Sequence, residues 1–208
     1  MQLDKHVVLI GYSGHAYVVY DILSRMGKIV SAYCDKRQAE KNPFGLEYFG
    51  DESLDNVMKK ASGLDFFISI GDNNIRKIIF ENLSSKLLTS LNALDPSAII
   101  SNKCFMGAGV MIGAGAIINS MAEIGDGVIC NTGVIVEHEC KIGRFSHLAP
   151  GCILAGNVEV GENSFVGAGV VVKQNIKIGK NVIIGAGTIV IKDVPDGSKI
   201  AGNPQRFI

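Results

Sequence analysis

The chain has 208 residues, with 20 basic and 20 acidic side chains and no net charge, so it has no general electrostatic reason to bind nucleic acid or an anionic membrane. Its 47% hydrophobic and 19% charged residues are those of an ordinary globular protein, one large domain or two small ones. No stretch approaches the ~18 continuous apolar residues of a membrane span. The start, MQLDKHVVLIGYSGHAYVV, lacks a basic stretch followed by a long apolar core, so a cytoplasmic protein without membrane insertion is expected.

In chain order, HVVLIG (6–11) is an apolar strand and YSGHAYVVYDILSRMG (12–27) a helix with apolar residues at helical spacing. KIVSAYCD (28–35) is a second strand ending on a carboxylate, and DFFISIG (65–71) is a third. DNNIRKIIFENLSSKL (72–87) is a second helix opened by Asp and Asn caps. The polar stretch 36–53 reads as a surface connection. Strand and helix alternate, which predicts a small parallel sheet with crossover helices over residues 1–93.

From Leu94 the period changes to six. Of seventeen consecutive hexads every first position is apolar, and eight second positions are glycine (107, 113, 125, 143, 161, 167, 179 and 185). Such a repeat predicts a parallel β-helix over 94–208, in which each coil of three hexads buries what a single hexad cannot. Residues 18 apart then stack. Cys130, Cys140 and Cys152 fall on positions for small buried groups, and the five cysteines, odd in number and without a CxxC pair, read as reduced thiols. The tail, 196–208, leaves the rhythm and suits a cap on the last coil.

Two places gather chemistry. The loop IGYSGHA (10–16) joins a strand to a helix, where Gly11, Ser13, Gly14 and His15 could approach a phosphate. A structural strand–helix turn explains the loop equally well. Asp35 ends the next strand, where a carboxylate can meet a ribose hydroxyl, and IGDNNIR, with Gly71 and Asn73, closes the third strand on the same rim. Three converging strand ends favour a nucleotide, and the few strands argue against a full dinucleotide site. The second place is VEHECKIGRFSH (136–147), which holds His138, Glu139 and His147. Gly156 follows His138 by 18 residues and stacks beside it. His147 is half a coil away from His138 and lies on a different face of the prism.

Taken together, GYSGHA, IGDNNIRKII, EHECKIGRFSHLAPG and VPDGSKIAGNPQR resemble the bacterial sialic-acid O-acetyltransferase and nucleotide-amino-sugar N-acetyltransferase family, and within it the UDP-4-amino-sugar N-acetyltransferases of the bacillosamine pathway. The resemblance implies a Rossmann-like nucleotide-sugar domain (1–93) and a left-handed β-helix (94–208), assembled as a homotrimer with acetyl-CoA lying between subunits. It implies acetylation of the 4-amino group of a UDP-linked 4-amino-4,6-dideoxy sugar, with His138 as general base supported by Glu139. Gly11, Ser13, Gly14, His15, Asp35, Lys36, Gly71, Asn73 and Asn131 would contact the nucleotide sugar. His147, Gly156, Ala168, Ala186, Gly202 and Pro204 would contact CoA. At Lys36 the bacillosamine enzymes have an acidic residue, which leaves base and sugar identity open. A GDP-amino sugar or O-acetylation of a sialic acid is the alternative within the family.

The chemistry fits these residue types. A histidine can take the proton an attacking amine must lose, a carboxylate fixes its tautomer, and a backbone N–H at Gly156 could bind the oxyanion. His138 and His147 can meet only if one subunit's edge abuts its neighbour, so the site is expected between protomers. Two readings come from other classes. A zinc lyase is disfavoured because the β-helix holds only two histidines where a catalytic zinc normally takes three protein ligands, so no metal is expected. A non-catalytic nucleotide-binding scaffold is the other.

Overall fold

The computed structural model describes residues 6–51, 53–60, 64–84 and 90–208. The apolar run VVLI forms β1 (Val7–Ile10), buried along its whole length. A strand covered on both faces suits the centre of a parallel sheet. β2 (Val30–Cys34) and β4 (Asp65–Ile68) flank it, and β3 (Glu47–Tyr48) adds an edge beside β2, all parallel. Helix α1 (Gly14–Arg25) lies on one face, where Ala16, Val19, Ile22 and Leu23 meet Val7 and Leu9. On the other face α2 (Leu54–Lys60) and α3 (Asn73–Ser84) cover Val8 and Ile10 with Val57, Ile79, Phe80 and Leu83. Residues 85–87 of the helix expected over 72–87 lie outside the described residues.

One expectation needs correction: 36–53 is more than a connection, because it carries β3. Its two residues have no apolar run to announce them. They are ordered by pairing, with Phe49 N donating to Tyr33 O at 2.9 Å and Asp35 N to Gly50 O at 3.1 Å.

From Ala93 the chain winds into a left-handed β-helix. Strands β5 (Ala93–Leu94) to β21 (Ile189–Val190) are two residues long, begin every six residues and pair in parallel with the strands 18 residues away. In each strand the second residue points inward: Ile112, Cys130, Leu148, Val166 and Ile184 are fully buried. This explains the apolar first position of every hexad. The second-position glycines are required by coil stacking. A Cβ on Gly143 would lie 2.5 Å from Glu162 N, and one on Gly167 2.6 Å from Ile184 O.

The first residue of each strand points outward and gives the three faces different characters. One face presents Ala93, Met111, Ile129, His147, Phe165 and Ile183; its upper coils pack on the N-terminal sheet, with Met111 and Ile129 sharing a core with α1. We call it the domain face. The second presents Ile99, Ile117, Ile135, Ile153, Val171 and Ile189 in register, and is the apolar face. The third carries the charge ladder Glu123, Lys141, Glu159, Lys177, with Lys141–Glu123 and Lys177–Glu159 pairs at 3.2 Å.

The tail continues the domain face as β22 (Lys199–Ala201), then returns antiparallel as β23 (Arg206–Phe207). Gln205 accepts hydrogen bonds from Ile191 N and Lys192 N, so the tail covers the end of the last coil.

Candidate active site

At the sheet rim, Gly11 adopts φ +91°, and a Cβ there would lie 2.3 Å from Ile70 Cγ1. The chain then enters α1 with Ser13 as N-cap, its side chain making no capping bond. The first-turn N–H groups are thus not taken up by the cap residue, which suits a phosphate. Asp35 closes the rim differently from expectation: Oδ2 accepts from Tyr12 N and Oδ1 from Lys36 N, both at 2.7 Å. The carboxylate therefore anchors the glycine loop, with lone pairs left for a ligand hydroxyl. Lys36 uses its backbone amide here and its side chain is exposed. A cleft opens between Tyr12, Tyr17, Asp35, Arg37, Gln38 and Lys41. Tyr12 is stacked on Tyr33 with ring centroids 4.1 Å apart and donates to Asn42 Oδ1.

A second group lies where the sheet rim meets the domain face. His147 sits with Nδ1 3.4 Å from Gly71 O and Nε2 3.4 Å from Asn131 Nδ2, its ring 5.1 Å from Phe165 and 6.1 Å from His15. Asn73 Nδ2 donates to Asn163 O and Ser164 O at 3.3 Å. Burial, reinforced by the Arg76 guanidinium, holds both His15 and His147 down to about 4, so both are neutral near pH 7. The structure thus gathers His15, Gly71, Asn73, Asn131 and His147. It also brings in two residues that were not singled out, Phe165 and Arg76. Arg76 is 1% exposed and belongs to the buried stripe Arg76, Ile79, Phe80, Leu83 of α3. A charged residue on the apolar stripe of IRKII was the signal for it.

His138 and Glu139 occupy the corner between the apolar and charged faces. His138 Nδ1 lies 3.1 Å from Glu139 Oε2, with side chains 60% and 64% exposed. Glu139 has φ +62°, a conformation this corner repeats at Met121, Asn157 and Asn175. Gly156 stacks one coil on, and a Cβ there would lie 2.6 Å from His138 Nε2 and Cε1. Only a glycine leaves the backbone open beside that imidazole.

The two groups are separated by the width of the apolar face. Asn131 lies at one edge of it, and His138 and Gly156 lie at the other. Ala168 and Ala186, exposed, share Asn131's edge. Gly202 accepts from Ile189 N, and Pro204 is exposed in the tail. Among the described residues no cluster of three His, Cys, Asp or Glu could hold a metal ion, and no helix is long and apolar enough to cross a membrane.

Known proteins share this fold. Residues 6–83 match the PglD N-terminal domain family, and 139–174 and 157–192 match the bacterial transferase hexapeptide (six repeats) family. The chain is similar to the acetyltransferase domain of PglB from Neisseria gonorrhoeae FA1090, solved in complex with acetyl coenzyme A (30% identity, TM-score 0.92, covering 99% of this chain and 100% of that one). It is also similar to PerB from Caulobacter crescentus, solved in complex with CoA and GDP-perosamine (38% identity, TM-score 0.91, covering 98% and 97%). WeeI from Acinetobacter baumannii AYE, at 24% identity and TM-score 0.81 over 97% of this chain and 99% of that one, shares the fold. With likeness extending over both halves, the chain belongs to the family of sialic-acid O-acetyltransferases and nucleotide-amino-sugar N-acetyltransferases built on a left-handed β-helix.

Proposed function

We propose that the protein is an acetyl-CoA-dependent N-acetyltransferase acting on a nucleotide-linked amino sugar. The carrying observation is the His138–Glu139 pair with Gly156 stacked against its imidazole. A carboxylate oxygen can only accept, so Glu139 holds the proton on His138 Nδ1 and leaves the Nε2 lone pair on the Gly156 side. Nε2 takes a proton from the acceptor amine as nitrogen bonds to the thioester carbonyl carbon. The Gly156 N–H stabilises the oxyanion that forms, and as the C–S bond breaks His138 returns the proton to the leaving thiolate. The products are the acetamido sugar and CoA.

The site closes only in an oligomer. Six in-register β-branched side chains make the apolar face a continuous patch, which marks an interaction surface. A closed ring of three copies about that face would set the His138 edge of one subunit against the Asn131 edge of the next. It would also leave the small residues Gly133, Ala168 and Ala186 facing a groove that the pantetheine arm of CoA can follow. Nucleotide binding falls to the Tyr12–Lys41 cleft and the Ser13–His15 loop.

A UDP-linked 4-amino-4,6-dideoxy sugar is the first candidate acceptor. A GDP-linked sugar is the second, favoured by the likeness to PerB in complex with GDP-perosamine. CoA release from acetyl-CoA, measured with UDP- and GDP-linked 4-amino sugars, separates them. Turnover with one panel is expected, and it should be lost in His138→Ala. Silence with both panels would overturn the reading.

A further inference from the structure

Arg76 is a buried cation that makes no hydrogen bond to a carboxylate among the described residues. Its five N–H groups meet five acceptors. Nε donates to Gly127 O at 2.8 Å, Nη1 to Ile70 O and Gly71 O at 3.0 Å, and Nη2 to Asn73 Oδ1 at 2.8 Å and Phe145 O at 2.7 Å. The side chain is fully satisfied, and it ties the segment after β4 to two successive coils. Burying a guanidinium costs several kcal/mol unless such bonds compensate, so a simple packing contact between the halves would be better served by an apolar residue.

What the arginine fixes is the Gly71 carbonyl, and from there each hydrogen-bonding role is forced. A carbonyl only accepts, so His147, 3.4 Å away, must carry its proton on Nδ1. An amide N–H only donates, so Nε2 carries the lone pair that accepts from Asn131 Nδ2. Asn131 is held in the same sense from its other end, where Oδ1 accepts from Thr132 N at 2.8 Å. One N–H of Asn131 remains, at the edge of the apolar face.

We propose that Arg76 is a positioning residue for the acceptor sugar: through Gly71 and His147 it orients Asn131 to present an N–H donor to a sugar oxygen. The proposal rests on the acetyltransferase reading for its last step and on the hydrogen-bond geometry alone for the rest.

Long-range 1H–15N correlation of the imidazoles in the wild-type protein at pH 7.5, assigned with His147→Gln, tests the geometry without any substrate. His147 should be the neutral Nδ1–H tautomer, and an Nε2–H tautomer overturns the proposal. In Arg76→Gln, kcat for acetyl transfer should fall roughly tenfold to a hundredfold, with KM for the sugar nucleotide raised. Arg76→Lys, with three donors on one nitrogen, should not restore it. A variant that only lost thermal stability while keeping both kinetic constants would show Arg76 to be mere joinery. If neither variant folds, the wild-type tautomer decides. If no acceptor is turned over by the wild type, the acetyltransferase reading fails while the tautomer result still stands.

Discussion

Gly156 separates stability from chemistry at a single atom. A methyl group there would overlap the His138 ring at 2.6 Å, and the ring is the free end of an exposed side chain that can swing aside. Gly156→Ala should therefore fold almost as well as the wild type, within about 1 kcal/mol in denaturant titration. Its kcat should drop roughly a hundredfold, because a base misplaced by an ångström loses that much. Retained kcat would mean that Nε2 is not the base. Glu139 faces the opposite trade. Its φ of +62° is a left-handed conformation that asparagine takes at two other coils of this corner. Glu139→Asn should be neutral or slightly stabilising in the same titration, with reduced kcat because the shorter side chain cannot hold Nδ1. A strongly destabilised variant would show that the glutamate is kept for the turn.

Among the elements, the apolar face makes the sharpest claim. Ile153 points outward and is 37% exposed, so Ile153→Glu puts no charge in the core. It should leave the circular dichroism spectrum intact, give monomers in analytical ultracentrifugation where the proposed trimer would form in the wild type, and reduce acetyl transfer at least about a hundredfold by splitting the site. An active monomer would sink the shared site. The six-residue period made the β-helix readable from the sequence because one inward position per hexad must be apolar whatever the function. The faces were also encoded, in the sixth position taken every third hexad: Ile, Ile, Ile, Ile, Val, Ile on one side and Glu, Lys, Glu, Lys on another. The edge strand β3 could not be read, since two residues ordered by long-range pairing leave no local pattern. The candidate site divided in the same way. His138 was singled out by the family resemblance, and the stacking of Gly156 beside it followed from an 18-residue offset. The gathering of His15, Gly71, Arg76 and His147 depends on how the two halves dock, which no period records.

That docking makes the whole molecule sensitive to acid. His15 and His147 face each other across the junction, and desolvation first, then the Arg76 charge, holds both to about 4. In the unfolded chain a histidine titrates near 6.5. As pH falls below that value the unfolded state takes up protons that the folded state refuses, so stability is full above about 6.5 and declines until the folded histidines also protonate near 4. The loss is on the order of 3 kcal/mol per histidine at most, less where the two are coupled. Carboxylates held low in the fold, Asp95 by Ser97 and Arg25 and Glu162 chiefly by Lys77, are charged in both states across most of this window and add their slope only at its acid end. The midpoint of guanidinium unfolding should therefore fall steadily between pH 7 and 5 in the wild type and flatten in His15→Gln/His147→Gln. Because Arg76 and both imidazoles lie at the seam, the first acid transition should part the halves while the coils stay wound. Tyrosine fluorescence from the N-terminal half should then change before the β-helix circular dichroism does. Coincident transitions, or a midpoint independent of pH across that range, would show that the junction does not carry this linkage.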